Sequence, residues 1–553
     1  IAGSETDNFN TMIGTGEYTD LVDLSYYTGS IAALAEDGVL MDITEYVEEY
    51  MPDYVALLDE HPAWKSQVTT TDADGNVHYY YLPLLNDGPR DPWDGFVYRR
   101  DWVVKYAEPT EYVWDWDSAY VQENGHPAVT PLEAAVASGN LEGWKANEVT
   151  EFTANPGDDP DNTYTDNVIF PSGTGDPLTI SDWEWMFEAF DAALEERGYG
   201  DDSDAYCITI PYQGYFEYGD LVSSFGGGNG YYYINDDGEV TFDATSDNFK
   251  TYLECMNTWN DKGWLDTQFE TRSGDLFYMI NQSGFNQGKV GMWCGMQAEL
   301  GGRLDQGDEY TDGIYVAGCA LPMNDIYGTD ACKNVAPNCI MTGTGLNGTG
   351  YAITSAAEDK DIGTLLTMID YLYSEDGARL ASLGLTPEEM EETGTSFYSD
   401  NGIPDGTYTM GDDGRYKLVE AIQNDAGGLR TAATLEKFPH LQLVTSIDEG
   451  YAPTYEHSME LWIQYKNTAQ IQGTPITNNM EQDDIDIMDD ARNKLLEYTQ
   501  TNAVDFIKGK KDINSDDDWG TWCKTQEKYN YQKALEAAQP YADQYEIDPT
   551  AAQ

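Results

Sequence analysis

The order of apolar and polar residues between positions 10 and 47 predicts the end of a helix, a short buried strand, a loop and two more helices. The strand is the run LVDL at 21–24. The loop behind it, SYYTG at 25–29, is rich in hydroxyl and aromatic groups. Open α/β sheets bind their ligands in loops at the carboxyl ends of strands. Tyr26 and Tyr27 are therefore the first candidate ligand-binding residues.

Three Asp-Gly pairs among β-forming residues predict β-hairpins. They lie within 69–83, within 231–243 and at Asp413-Gly414, and Asp-Gly is a favoured pair in the tight turns of hairpins. Acidic turns of this kind are also candidate calcium sites. They lack the loop with a terminal glutamate that an EF-hand uses, so the turn interpretation is favoured.

Helical patterns continue along the chain. Ser181, with Glu184 three residues later, is a candidate capping box at the start of a helix. Residues 121–179 are dominated by Gly, Pro, Asn and Thr, which predicts an insertion or a long surface excursion. Further predicted helices cover 249–264, 360–383, 488–506 and 524–545, and further predicted strands cover 96–98, 288–293 and 351–355.

The composition adds a strong acidic charge. With 28 Lys and Arg against 100 Asp and Glu, the formal net charge is −72. Such a surface repels phosphates, which argues against nucleic acid as a partner. It also argues against an anionic polysaccharide unless arginines cluster locally. A length of 553 residues with 41% hydrophobic content suggests about two to four domains with sizeable cores. No apolar run reaches the ~18 residues that a membrane helix needs.

Motifs for catalysis and metal binding are missing from the sequence. Seven cysteines leave at least one without a disulfide partner, a Cys332–Cys339 bridge being one of several open pairings, and no CxxC pair suggests zinc. There is no HExxH and no GxSxG motif. Among 100 acidic residues, some pair would suit a glycosidase by chance, so such pairs carry no information. We therefore expect no catalytic residues, no metal ion and no cofactor.

Five blocks occur in the order found in extracellular solute-binding proteins of bacterial ABC importers. The chain resembles the larger, lipoprotein-type carbohydrate-binding members of this family, which are family 1-like. The blocks are the segment 10–47; NVHYYYLP with FVYRRDW; GEVTFDATSDNFKTYLECMNTWNDKGWLDTQF; GKVGMW; and YAITS with the helix that ends in YLYSEDGARLASLGL. The run that begins NAVDFIKGKKDIN resembles the ending of those members. Together the blocks touch well over half of the chain.

This resemblance implies an α/β protein with the two-lobed, type II fold of periplasmic binding proteins. Each lobe is a mixed sheet flanked by helices, and several strands cross the hinge. Residues 96–98, 290–293 and 351–354 resemble the crossing strands. The implied first lobe is 1–97 plus about 294–350, and the second is about 98–293 plus about 351–430 with the insertion 121–179. Residues from about 431 to 553 would form a C-terminal helical region packed across the lobes.

The resemblance also implies a function without catalysis. The protein would capture a solute between its lobes and deliver it to the permease subunits of an ABC transporter. We expect a monomer outside the cell, either secreted or held at the extracellular face of the membrane by a lipid anchor. The family opens with a strand and a helix ahead of position 10. The chain is thus expected to be trimmed there, together with any lipid-bearing cysteine.

Sugar chemistry indicates which residues would form the site. Sugar rings have apolar faces and a rim of hydroxyl groups, so their sites combine aromatic side chains with carboxylates, amides and arginine. We expect a neutral oligosaccharide. A peptide or other small solute on the same scaffold is an alternative, and a surface glycan-acting enzyme is a weaker one. Each candidate could instead pack a domain edge, and Arg90 could form a simple ion pair. The candidate ligand-binding residues are Tyr26, Tyr27, Asn86, Asp87, Arg90, Trp93, Tyr212, Tyr215, Trp293 and Glu299.

Overall fold

The structure is a computed structural model that describes five stretches of the chain. They are 5–107 except 28, 72–74 and 88–94; 170–272 except 172–176, 211–220, 228–232 and 235–237; 284–333 except 285–286 and 296–315; 350–445 except 395, 402, 404, 412–414, 424–428, 436 and 444; and 480–543. No helix within these stretches is both long and apolar enough to cross a membrane.

The first lobe is built on two strands that are far apart in the sequence. β1 (Leu21–Asp23) pairs antiparallel with β11 (Tyr351–Ile353), with Asp23 opposite Tyr351. Apolar side chains of both strands are buried in one core with those of the surrounding helices. These helices are α1 (Glu5–Thr15), α2 (Ile31–Glu36), α3 (Thr44–Tyr50), α4 (Pro52–Glu60), α5 (Pro62–Val68) and, from later in the chain, α9 (Ile362–Tyr371). A hairpin of β2 (Thr70–Thr71) and β3 (Val77–His78) follows α5.

The second lobe contains a four-stranded sheet with the order β10-β5-β9-β6. Its strands are β5 (Gly95–Arg99), β6 (Tyr206–Ile208), β9 (Val290–Gly295) and β10 (Val316–Cys319). β5 is antiparallel to both of its neighbours, whereas β6 runs parallel to β9. The helices of this part are α6 (Arg100–Tyr106), α7 (Ile180–Glu196) and α8 (Asp247–Asp261), with a hairpin of β7 (Tyr233–Ile234) and β8 (Val240–Thr241).

The C-terminal helices complete this second core. They are α15 (Gln482–Ile507), α16 (Asp516–Glu527) and α17 (Tyr531–Ala542). α15 packs against α8 and α17, and buried side chains such as Met488 and Phe506 share the core with residues of the sheet and of α7. The second lobe therefore combines two stretches of sequence, 95–333 and 480–543. Between them in the sequence lie β11 and α9 of the first lobe.

A small third cluster lies between α9 and the C-terminal helices in the sequence. It contains α10 (Glu375–Leu383), α11 (Pro387–Thr393), α12 (Phe397–Asp400), the hairpin of β12 (Tyr408–Met410) and β13 (Tyr416–Leu418), α13 (Glu420–Gln423) and α14 (Leu429–Ala433). The following strand β14 (Leu441–Gln442) pairs in parallel with β4 (Leu85–Asn86). This strand pair joins the cluster to the first lobe.

The domain division expected from the sequence differs from this arrangement. Residues 351–430 were expected in the second lobe, whereas β11 pairs with β1 in the first. The stretch 294–350 was expected in the first lobe, whereas β10 lies in the second sheet. The boundary at 97/98 would divide β5, and the buried side chains of α15 to α17 belong to the second core. The reason is that a strand's distant partner is not encoded in its local pattern.

The three strands expected to cross the hinge each belong to the sheet of one lobe. Those at 96–98 and 290–293 are neighbours within the second sheet, and that at 351–354 belongs to the first lobe. The chain passes between the two cores after 87, after 333 and after 445, and each of these passages falls outside the described residues. Most of the predicted insertion 121–179 also lies outside them.

Most local predictions are confirmed. All three expected hairpins are present, and Gly75 and Gly238 of their turns have φ of +85° and +80°. Two expected helices are each divided in two. Ser374 caps α10 through the Gly377 amide, which ends the single helix expected over 360–383, and Asn530 with φ of +60° separates α16 from α17.

The capping box of α7 begins two residues earlier than predicted. Thr179 is the N-cap instead of Ser181, because its hydroxyl accepts a hydrogen bond from the Asp182 amide at 3.1 Å. The Asp182 carboxylate in return accepts from the amides of Thr179 at 3.1 Å and Leu178 at 2.8 Å. The additional bond to Leu178 favours the earlier start.

Candidate functional site

An aromatic and acidic edge lies at the carboxyl end of β1. The Asp23 carboxylate accepts a hydrogen bond from the Ser25 amide at 3.0 Å, and this cap turns the chain into the predicted loop. Tyr26 is 40% exposed, whereas Tyr27 is half-buried and lies against Phe9 with ring centroids 5.6 Å apart. The predicted loop thus offers one open aromatic ring, Tyr26, and one ring that mainly packs, Tyr27.

Two aromatic residues that the sequence analysis missed extend this edge. Tyr351 lies opposite Asp23 in the strand pair, and its ring contacts that of Phe438 at 5.5 Å. Burial raises the pKa of Tyr351, and the facing Asp23 carboxylate raises it further. A signal was available for Tyr351, because it is an aromatic residue at the start of a predicted strand. Phe438 lies outside every quoted block.

Tyr351 also connects this edge to the second predicted part of the site. Its amide donates to the Leu82 carbonyl at 2.9 Å, and the Leu82 amide donates back at 2.8 Å. The close approach requires glycine before Tyr351: Gly350 has φ of +102°, and a Cβ there would lie 2.3 Å from the Leu82 oxygen. The chain then runs from Leu82 directly into β4.

Asn86 and Asp87 lie at the carboxyl end of β4. The Asp87 amide donates to the Gln442 carbonyl at 3.0 Å, and the Leu85 amide donates to that of His440 at 3.0 Å, which holds β4 on β14. Asn86 is 2% exposed, and among the described residues no donor reaches its buried Oδ1. A buried amide oxygen without a donor is unusual and is suited to receive a ligand hydroxyl.

In the second lobe, four strand ends meet at one edge of the sheet. Gly95, where β5 begins, lies opposite Gly295, where β9 ends, and Cys319 at the end of β10 lies opposite Phe96. β6 runs parallel to β9, so its carboxyl end points the same way. In the sequence, Arg90 and Trp93 precede β5, Tyr212 and Tyr215 follow β6, and Glu299 follows β9; all five lie outside the described residues.

A buried ion pair fixes the chain where β6 leaves the sheet. The Thr209 hydroxyl donates to the Asp266 carboxylate at 3.0 Å, and a guanidinium nitrogen of Arg272 donates to its other oxygen at 3.0 Å. The Asp266 side chain is fully buried. This network holds the stretch that immediately precedes Tyr212. It was not foreseen from the sequence, because Arg272 and Asp266 carry no motif.

Trp293 is more buried than we expect of a residue that contacts a ligand. It lies in β9 opposite Val97, is 5% exposed and belongs to the second core. Its place near the strand end leaves it two residues from the edge described above. Its role in binding remains a prediction.

In the described ranges, no group of three or more His, Cys, Asp or Glu side chains is arranged to hold a metal ion. Free thiols in these ranges include those of Cys207, Cys255, Cys332 and Cys523. Burial raises the pKa of the Cys207 and Cys255 thiols well above its usual value, so both stay protonated.

Comparisons with known proteins give matches in structure only. No family model and no curated protein sequence matches the chain. A solute-binding protein from Bifidobacterium longum infantis, described as ABC-transporter associated and HMO binding, matches with a TM-score of 0.61 at 14% identity, over 99% of this chain and 92% of its own. The S. pneumoniae ABC-transporter substrate binding protein FusA, an EF-hand mutant in complex with fructo-nystose, matches with a TM-score of 0.58 at 18% identity, over 98% and 90%.

A third similar structure is the alginate-binding protein AlgQ2 without calcium ion. It has a TM-score of 0.55 at 15% identity and covers 97% of this chain and 88% of its own. The two cores described above correspond to the two lobes expected from the family resemblance. The chain therefore has the two-lobed α/β fold of ABC-transporter solute-binding proteins.

Proposed function

We propose that the protein captures a neutral oligosaccharide between its two lobes and delivers it to the permease subunits of an ABC transporter. The observation that carries this proposal is the match over 97–99% of the chain to proteins described as binding HMO, fructo-nystose and alginate. A match of this extent includes both lobes. The similar structures are described as binding proteins, which supports capture without catalysis.

The geometry of the first lobe supports a carbohydrate as the ligand. Tyr26, Tyr351 and Phe438 supply aromatic surface beside the Asp23 carboxylate, and Asn86 supplies a buried acceptor. Aromatic rings stack on the apolar faces of sugars, while carboxylate and amide oxygens accept from their hydroxyl groups. We assign the second wall of the site to Arg90, Trp93, Tyr212, Tyr215, Trp293 and Glu299. Trp293 lies near the end of β9, and the other five precede or follow strands of the second sheet in the sequence.

The charge of the protein favours a neutral ligand. Alginate is a polyuronate, so the fold itself accommodates both neutral and anionic glycans and does not decide between them. A net charge of −72 repels an anionic ligand unless cations are concentrated at the site. Of the candidate residues, only Arg90 is cationic. We infer that the protein acts outside the cell as a monomer that is either secreted or lipid-anchored.

A thermal-shift panel tests the proposal. Neutral oligosaccharides, uronic-acid oligomers of equal length and short peptides are each added at millimolar concentration, and the unfolding temperature is recorded. A ligand that binds only the folded protein stabilises it by RT ln(1 + [L]/Kd), so a micromolar binder gives a clear shift. We expect shifts with neutral oligosaccharides only. A larger shift with uronic-acid oligomers or peptides would overturn the ligand class, and glycan cleavage during incubation would overturn capture without catalysis.

A further inference from the structure

A hydrogen bond connects the two cores of the protein at the loop that carries Tyr26 and Tyr27. The backbone amide of Ser30, the N-cap residue of α2 in the first lobe, donates to Oε1 of Gln482 at 3.3 Å. Gln482 is the first residue of α15, which is buried in the second core through Ile485 and Met488. The bond thus joins residues that are 452 positions apart and that belong to different lobes.

The amide of Gln482 is held in one orientation. Its Nε2 donates to the Asp486 carboxylate at 2.8 Å, one turn further along α15. Because the nitrogen is engaged by a carboxylate, the oxygen is the atom presented to Ser30. Gln482 is only half-buried, so the bond does not depend on deep packing of its side chain.

The loop is closely packed where it meets Gln482. The Tyr27 hydroxyl donates to the Ser30 carbonyl at 3.3 Å. A Cβ on Gly29 would lie 2.5 Å from the Tyr27 hydroxyl oxygen and 3.2 Å from Gln482 Oε1. Any larger residue would push against the side chains of Tyr27 and Gln482, which both lie close to the backbone of Gly29. A movement of one lobe relative to the other would therefore be transmitted to Tyr27.

We infer that Gln482 is a positioning residue, an interlobe latch whose bond to Ser30 holds the loop 25–29 against the second lobe and stabilises this arrangement of the lobes. The inference rests on the proposed function only in its consequence for ligand affinity. Lobe rotation is the general means by which two-lobed binding proteins close on a ligand. A bond made in one lobe arrangement and broken in another shifts the equilibrium between them, by about two- to tenfold for a hydrogen bond of ordinary net strength.

The first test needs no ligand. Hydrogen exchange of the peptide that contains Ser30 and the radius of gyration from small-angle scattering are measured for the full chain and for Gln482→Ala. Asp486→Ala removes only the orienting bond and serves as a second variant. Asn493→Ala removes an exposed amide from the same helix and is the matched control. We expect about two- to tenfold faster exchange and a larger radius in Gln482→Ala, a smaller change in Asp486→Ala and none in Asn493→Ala.

The second test uses whichever oligosaccharide gives the largest thermal shift. Its Kd is expected to rise about two- to tenfold in Gln482→Ala at unchanged stoichiometry. If no oligosaccharide binds, the proposed function fails while exchange and scattering still decide the latch. The latch would be overturned if Gln482→Ala had the same exchange rate and the same radius of gyration as the Asn493→Ala control. Should Gln482→Ala not fold, Asp486→Ala decides by the same two measurements.

Discussion

The indole nitrogen of Trp522 donates a hydrogen bond to the carbonyl oxygen of Ala244 at 2.6 Å, although 278 positions separate the two residues. The Trp522 ring is 1% exposed and stacks on Phe249 of α8 at 5.9 Å. On its other side it meets Phe506 of α15 at 5.7 Å. A single side chain thus ties the C-terminal helices to the turn between β8 and α8, and makes them part of the second lobe.

Replacing Trp522 should destabilise the whole second lobe. Trp522→Phe keeps most of the apolar surface but leaves the Ala244 carbonyl without its donor, which should cost about 1–3 kcal/mol. Trp522→Ala should cost about 3–5 kcal/mol because a cavity is added. Urea unfolding measures both. Trp519→Phe, at a half-buried ring stacked on Trp522, is the control and should cost less than about 1 kcal/mol. Equal losses for Trp522→Phe and Trp519→Phe would contradict the importance of the bond.

Asn86→Leu should affect stability and binding in opposite directions. The buried Oδ1 of Asn86 has no donor within the described part of the protein, so replacing the amide by an apolar side chain of similar size should leave the unfolding free energy unchanged or raise it. Binding of the oligosaccharide should weaken by about 1–3 kcal/mol, since a ligand hydroxyl loses its acceptor. Calorimetric titration and urea unfolding give the two numbers. A less stable protein with unchanged affinity would show that Asn86 is purely structural.

Trp293→Ala is expected to reduce stability as well as binding. The side chain is 5% exposed in the second core, and truncating a buried tryptophan typically costs about 3–5 kcal/mol. Its part in the site is better tested with Trp293→Phe, which keeps a packed ring. If Trp293 contacts the ligand, Trp293→Phe should lower the affinity at nearly unchanged unfolding temperature. A fall in unfolding temperature with no change in affinity would assign Trp293 to packing alone.

Stability should increase as the pH falls from neutrality through the raised pKa values of three aspartate carboxyl groups. Burial raises the pKa of the Asp191, Asp325 and Asp370 carboxyl groups above the ordinary value of 3.8. In the window between the ordinary and the raised pKa the folded protein binds more protons than the unfolded chain. Stability therefore rises as the pH falls through the raised values. The self-repulsion of a chain with net charge −72 weakens in the same direction.

The trend should reverse below about pH 4. Burial opposes ionisation of Asp42, but hydrogen bonds from Thr44 and His78 prevail and lower its pKa, so the stability it contributes is lost as acid protonates it. Urea unfolding midpoints measured at pH 8, 5 and 3.5, at constant ionic strength, check both the rise in stability and its reversal. Asp325→Asn should flatten the rise. A protein that is more stable at pH 8 than at pH 5 would contradict the prediction.

Local structure was predictable where a few neighbouring residues determine it. The strand β1, the three Asp-Gly hairpins and the long helix α15 follow from side-chain periodicity and turn chemistry that operate within about ten residues. The two missed helix ends have local causes as well. The Ser374 hydroxyl and the left-handed backbone of Asn530 each compete with a helical pattern that otherwise continues.

The assembly of the lobes was less predictable for a physical reason. β1 and β11 pair across more than three hundred residues, and nothing in LVD or YAI identifies the other as its partner. Tyr351 could be located as a strand residue, but its position beside Asp23 depends on that pairing. The candidates Tyr26, Asn86 and Asp87 lie at strand ends as expected. The role of Asp266 could be recognised only from the hydrogen bonds that its carboxylate accepts from Thr209 and Arg272.

The division of the second core between two distant stretches of sequence also determines the order of events during synthesis. The strands and helices of 95–320 are made well before the C-terminal helices. The face of α8 that receives Trp522 and Phe506 therefore stays uncovered until 480–543 have been made. The first lobe, whose core closes with α9, has all of its partners earlier. A nascent chain therefore carries a finished first lobe beside an open apolar surface. That surface is where a chaperone would bind.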